Sequence, residues 1–213
     1  MFAKIIGELC IGFLTTLEIF ALTLVFALPL GLVVCFAATR KFAPVRYLTR
    51  GVIWIVRGTP LMLQLLIVCY GPGLMGLPPV REPMIAVIVA FSLNYACYFA
   101  EIYRGGIAAV SAGQWEAGKA LGLSRGRIFM RIVFPQVIKR ILPPMSNEVI
   151  TLVKDTSLAN TIAVAEIIRC ARNLTGTYAV DIMIPLLYAG AFYLVFVGLL
   201  TVVFNRLEKK LRG

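Results

Sequence analysis

Between Leu9 and Thr39 the chain carries a single charge, Glu18. Lipid offers backbone amides no partner, so a run of this kind must satisfy them internally, as a helix. Its 31 residues would extend ~46 Å, against ~30 Å of hydrocarbon. We therefore expect the first crossing at about residues 19–39, capped by Thr15 or Thr16. Residues 3–16, within an N-terminal segment 1–18, are expected to form an interfacial helix on the outer face. The run is too long and too poorly flanked to be a cleavable signal peptide.

The rest of the chain follows the same logic. Of its 213 residues 60% are hydrophobic and 15% charged, the balance of a membrane protein rather than a soluble domain. Arg57 is the one charge between Gly51 and Val80, beside the interruption Gly58-Thr59-Pro60, which predicts a second crossing at about 58–75. A third, 84–103, ends at Glu101 and Arg104, spaced to pair on one helix face. The stretch 144–165 is apolar but is interrupted around Pro143, Pro144, Glu148, Lys154 and Asp155, and reads as a broken fourth crossing. The fifth, 182–204, is followed by a basic tail, 206–213.

The cations fix the expected orientation. With the N-terminus outside, Arg40, Lys41, Arg46, Arg50 and Arg57 fall in one inner segment, seven more between Arg104 and Arg140, and four between Arg206 and Arg212. Only Lys4, Arg81, Arg169 and Arg172 fall outside, and Lys154 lies within a span. This distribution places the C-terminus in the cytoplasm, and it assigns the net charge of +11 to topology rather than to nucleic acid. The fold class is an all-α membrane protein with five transmembrane helices and short outer loops at 71–83 and 165–181. The chain has no histidine, which excludes imidazole metal sites and imidazole acid–base catalysis. Cys10, Cys35, Cys69 and Cys97 sit in apolar runs and Cys170 has no evident partner, so no disulfide framework and no metal site is expected.

One polar island interrupts the apolar pattern, from Glu116 to Gln136. Ala117, Ala120 and Leu121 favour helix, Gly122 is placed to end it, and Ser124 to cap the next. Ala117, Gly118 and Ala120 leave little bulk along the first helix, so another protein's groove could approach its backbone, with Glu116 as an acidic handle. Residues 112–123 are thus either a cytoplasmic docking helix or an amphipathic connector on the membrane surface. Gly113 to Ala120 has the spacing of a phosphate loop, but Ala120 replaces the hydroxyl that holds Mg²⁺ and the chain has no room for the α/β domain around it.

Several motifs in order now carry a resemblance. They are Arg57-Gly-Thr-Pro60, Ala100-Glu-Ile-Tyr-Arg-Gly-Gly106, Gly113-Gln114, Glu116-Ala117 with Gly122, Ala120-Leu-Gly-Leu123, Pro135-Gln136 and Lys154-Asp-Thr-Ser-Leu158. From about Thr15 to Glu208 the chain resembles the polar amino acid permease family of bacterial type I ABC importers. Gly118 departs from it, standing where the family usually has a second Ala.

The resemblance implies a type 1 transmembrane domain over 16–205, in a bacterial inner membrane, and a chain that is not itself a catalyst. It implies a pair of ABC ATPase subunits that use ATP and Mg²⁺, a second permease subunit (identical or paralogous), and an extracytoplasmic amino-acid-binding protein or domain. Glu116 and Gly122 carry over as coupling residues, with Ala117 and Gly118 between them.

Charges inside a span must be satisfied, at ~2.5–3.5 kcal/mol each if left facing lipid. Lys154 could meet a substrate carboxylate, with Asp155, Thr156 or Ser157 meeting the ammonium. Alternatively Asp155 caps the half-helix after the break, and Lys154 pairs with Glu148 or Glu101. Gln64, Asn94 and Tyr98 could line a path or fix helix packing. Arg57, Glu101 and Arg104 are expected as a gate or ion-pair network near the inner boundary. Trp115 and Tyr178 read as interfacial aromatics. An ion-gradient-driven transporter or channel would share the broken helix but has no use for a docking island, and a membrane scaffold would tolerate loss of the charges at 154 and 155.

Overall fold

The computed structural model describes residues 2–212, so residues 1 and 213 of the expected terminal segments lie outside the described residues. The first helix, α1, runs Phe2–Thr39 without a break. The expected separation at Thr15 and Thr16 is absent, and neither caps a helix. Thr16 instead donates back to the Gly12 carbonyl at 3.2 Å and accepts from the Ile167 amide at 3.3 Å. Nothing between Leu9 and Pro29 interrupts helix formation, and Ile5 and Leu9 are buried against Ile167, Ala171 and Leu174. Tertiary packing therefore holds the excess length.

The cluster from Arg40 to Arg50, expected as an inner loop, is instead largely helical: α2 runs Ala43–Gly58, with Pro44 in its first turn. Thr59 and Pro60 stop it, and α3 (Leu61–Leu74) leaves at 106°. The interruption expected at 58–60 is there, but α3 has 14 residues, ~21 Å, less than a full crossing. Next comes α4 (Pro83–Ala108), the central element, with Phe91, Tyr95 and Phe99 fully or almost fully buried in the core that it shares with α1. Gly31 permits this approach. A Cβ there would stand 2.9 Å from that of Phe99 and 3.1 Å from the Ala96 carbonyl.

Two short helices follow, α5 (Ala112–Ala120) and α6 (Arg125–Ile128), then a π-helical turn, Phe129–Val133, leading into α7 (Phe134–Asp155). The helix passes through Pro143 and Pro144 and gives way only at Asp155, to a 3₁₀ segment, Thr156–Ile162. The expected break thus lies at one point, and Ala163, in the left-handed conformation at φ 69°, ends it. After α8 (Ile167–Tyr178), α9 (Met183–Arg212) absorbs the basic tail into a single 30-residue helix. Among the described residues α1, α4 and α9 are long and apolar enough to cross a membrane, and α2 with α3 qualifies only as a bent pair.

Candidate functional site

The polar island rides on the start of α7. Gln136 Nε2 donates to Gln114 Oε1 at 3.2 Å and to the Ile132 carbonyl at 2.9 Å, and the Arg140 guanidinium donates to the Ala109 carbonyl. Gly122, at φ 69°, terminates α5 as its sequence suggests. Its N–H reaches the Lys119 carbonyl at 2.9 Å, and the Leu123 N–H reaches that of Gly118 at 3.0 Å. Ser124 precedes α6 at the cap position, but its side chain makes no capping bond. Residues 113–120 form helix, with no loop to wrap a phosphate.

Glu116, Ala117 and Ala120 are exposed, as a docking face requires, while Gly118 is buried on the opposite side. A Cβ on Gly118 would lie 2.7 Å from Ile128 Cγ1, and Ile128 is fully buried among Val110, Val133 and Val137. The smallness of Gly118 serves this internal contact rather than an approaching partner.

At the α2–α3 break, freed carbonyls need donors. Gln64 supplies them. Its Nε2 lies 2.7 Å from the Val56 carbonyl, 3.1 Å from that of Thr59 and 2.9 Å from Thr59 Oγ1. Its Oε1 accepts from Asn94 Nδ2 at 3.0 Å. Both amides therefore hold the break together.

A cavity of about 410 Å³ opens beside them, lined by Thr59, Asn94, Tyr95, Tyr98, Glu148, Thr151 and Asp155 among others. Asp155 does not cap the segment that follows it. Its Oδ2 accepts the Tyr95 hydroxyl at 2.8 Å. Lys154 lines a different cavity, of about 500 Å³, with Ser157, Asn160, Thr161, Arg172 and Tyr193. Among the described residues it has no carboxylate within ion-pair distance, so the expected pairing with Glu148 or Glu101 is absent. Thr156 is buried and donates to the Val153 carbonyl at 2.6 Å, and Ser157 donates to that of Lys154 at 2.8 Å.

Glu101 pairs with two arginines. Arg104 Nε and Nη2 lie 3.0 and 2.6 Å from its two oxygens, Arg57 Nη1 lies 3.9 Å away, and Arg57 Cζ stands 4.9 Å from the Tyr98 ring centre. These side chains line a third cavity, of about 540 Å³, with Arg50 and Trp54. Tyr98 borders both this cavity and the carboxylate-lined one, so its ring is their shared wall.

Tyr95 and Glu166 escaped sequence reasoning. Glu166 is fully buried and caps α8, accepting from the Ile168 and Arg169 amides at 2.9 and 2.8 Å. Burial pushes its carboxyl above the usual range, against the pull of those two amides. Glu is not a favoured cap, so no local signal marked it. Tyr95 lies in the uncharged run of α4, where no local signal marks that its hydroxyl meets Asp155 sixty positions away.

Residues 27–213 match the family described as binding-protein-dependent transport system inner membrane component. The chain is 34% identical to the L-cystine transport system permease protein TcyB of Bacillus subtilis, covering 94% of this chain and 85% of that one. It is 36% identical to the arginine transport system permease protein ArtQ of the same species, over 95% and 91%. With the octopine transport system permease protein OccM of Rhizobium radiobacter it shares 40% identity over 86% and 79%. In structure it superposes on the crystal structure of an amino acid ABC transporter with histidines at a TM-score of 0.90 and 28% identity, covering 98% of this chain and 96% of that one. An inward-facing structure of the MetNI methionine ABC transporter shares the fold at a TM-score of 0.66 and 17% identity, over 97% and 94%. These likenesses set aside the gradient-driven reading. The chain belongs to the family of inner-membrane components of binding-protein-dependent transport systems, the transmembrane permease of an ABC importer whose ATPase is a separate subunit.

Proposed function

We propose that this permease imports a polar amino acid carrying an ammonium or guanidinium group that its membrane path can hold. The observation behind this reading is the cavity beside the two helix breaks, lined by the carboxylates of Glu148 and Asp155 and by no basic side chain. In a low-dielectric setting a cation is the natural occupant of such a site, and an acidic side chain is a poor one. Asn94, Tyr98, Asp155, Glu148 and Thr151 face the substrate in this proposal. Gln64 and Thr156 hold the shape of the breaks, while Lys154 and Ser157 belong to the adjoining cavity. The transport-system names of the relatives, cystine, arginine and octopine, fit cargo of this kind.

The path closes at Arg57, Glu101 and Arg104. Two permease copies or paralogues assemble with two ATPase subunits, which bind ATP and Mg²⁺ and engage α5 through Glu116, Ala117 and Gly122, with Gly118 seating the helix. A substrate-binding protein or domain docks outside. The cation distribution supports N-terminus out and C-terminus in, hence an odd number of passages; we take these as five, with α3 and its break as the second and α7 with the 3₁₀ segment as the fourth.

The test is substrate-stimulated ATP hydrolysis by the co-purified complex in lipid nanodiscs, against a panel of basic, amide and acidic amino acids. Basic or amide amino acids stimulate the native complex, Asp155→Asn abolishes stimulation while sparing basal hydrolysis, and Glu116→Lys abolishes coupling to any substrate. Stimulation by acidic amino acids alone would overturn the cationic site, and an unchanged Glu116→Lys complex would overturn the docking face.

A further inference from the structure

The stretch from Arg40 to Gly58 holds five basic residues and no acidic one. From Ala43 onward it folds as α2, which turns 106° from α3, with Arg40 and Lys41 just before its first residue. If α3 crosses the bilayer, as the reading above requires, α2 lies nearly parallel to its plane. At 100° per residue, Arg46, Arg50 and Arg57 fall within ~40° of one another, and Leu48, Val52 and Ile55 occupy the opposite face. That apolar face is bare, with Leu48 73% exposed, and the aromatics Tyr47 and Trp54 (78% exposed) sit at its border with the basic face.

The basic residues divide into two groups. Arg50 Nε donates to the Ala38 carbonyl at 3.2 Å, and Arg57 is committed to Glu101 and Tyr98. Arg40, Lys41 and Arg46 have no acidic partner within ion-pair distance among the described residues, and Arg46 stacks only over its neighbour Tyr47, 5.0 Å from the ring centre. A second copy meeting this face about a two-fold axis would bring the same cations against themselves. The side that carries Arg50 and Arg57 also buries Ile53 and packs on the protein, so the outward surface is apolar, aromatic at its edge and flanked at its N-terminal end by the free cations Arg40, Lys41 and Arg46, which matches a phospholipid layer.

We propose that α2 is an interfacial helix that selects anionic phospholipid, with Leu48, Val52 and Ile55 among the acyl chains and Arg40, Lys41 and Arg46 on the headgroup phosphates. The test uses the whole importer complex with Leu48→benzoylphenylalanine as a photo-crosslinker. The complex is reconstituted in vesicles of phosphatidylcholine with a minority of phosphatidylglycerol, and adducts are identified by mass spectrometry. Phosphatidylglycerol adducts should exceed that lipid's share of the bilayer about fivefold, the factor a single well-placed cation supplies. Replacing Arg40, Lys41 and Arg46 by Gln together should return the ratio to the bulk value while lipid adducts persist.

Adducts at the bulk ratio in the native sequence would overturn selection of the anion. Crosslinks to a second permease or to the ATPase, or no lipid adduct, would overturn the interfacial placement. Because both leaflets share one composition, the readout is independent of orientation. Loss of ATPase coupling with lipid adducts intact would count against the transport reading alone.

Discussion

Gly118 shows how much one side chain can decide. Glycine in a helix costs ~1 kcal/mol relative to alanine, so its presence in α5 needs a return, and the fully buried Ile128 provides it by filling the space a Cβ would take. Gly118→Ala should therefore destabilise despite its better helix propensity, by about 1–3 kcal/mol of overpacking, read as a lower thermal midpoint and weaker substrate-stimulated hydrolysis in the assembled complex. Ile128→Ala in the same chain makes room and should restore part of the coupling. A Gly118→Ala complex with native stability and coupling would mean that Ile128 yields at no cost. The sequence marks Gly118 as small and as unlike its family. It does not show which side of α5 faces inward, because that depends on α7 and the π turn closing beneath it.

At the scale of elements, breaks were easier to read than their geometry. Arg57-Gly58-Thr59-Pro60 announces a stop, since proline cannot continue the preceding hydrogen-bond ladder, but no local rule gives a 106° turn or names Gln64 as the donor to the freed carbonyls. Those depend on Asn94, thirty positions away on α4. Likewise α7 tolerates Pro143 and Pro144 and breaks at Asp155, where Tyr95 supplies a hydroxyl. The length of α1 was legible and its continuity was not, because α8 packs on its first turns. We expect Gln64→Leu to cost about 1–3 kcal/mol, since it orphans the Asn94 amide as well as the break carbonyls. Adding Asn94→Leu should cost less than either change predicts separately, because no lone buried amide remains. Thermal midpoints of the purified complex for the two single variants and the double variant test this; strict additivity would separate the two amides.

Across the whole molecule, α7 joins the proposed docking face to the proposed substrate cavity. Its first turns carry the island through Gln136 and Arg140, and its last residue lines the carboxylate cavity, so under the proposed coupling a displacement of α5 would reach Asp155 along 22 helical residues. Tyr98 borders both this cavity and the one lined by Arg57, Glu101 and Arg104, and the Arg57 guanidinium stacks over its ring. Among the described residues Glu101 is the one acid within ion-pair distance of both arginines, and neutralising it leaves two cations to repel each other. If the cluster is the closed gate, Glu101→Gln should let vesicles preloaded with the stimulating amino acid lose it without ATP, several times faster than the native complex. Assembly with the ATPase should be unaffected, because α5 is untouched. Raised salt should mimic part of the leak in the native complex, since these side chains are partly exposed and their attraction is screened. Retention at the native rate, with only a lower thermal midpoint, would make the cluster a packing device and move the gate to the Tyr98 ring itself, where Tyr98→Ala would then open the path.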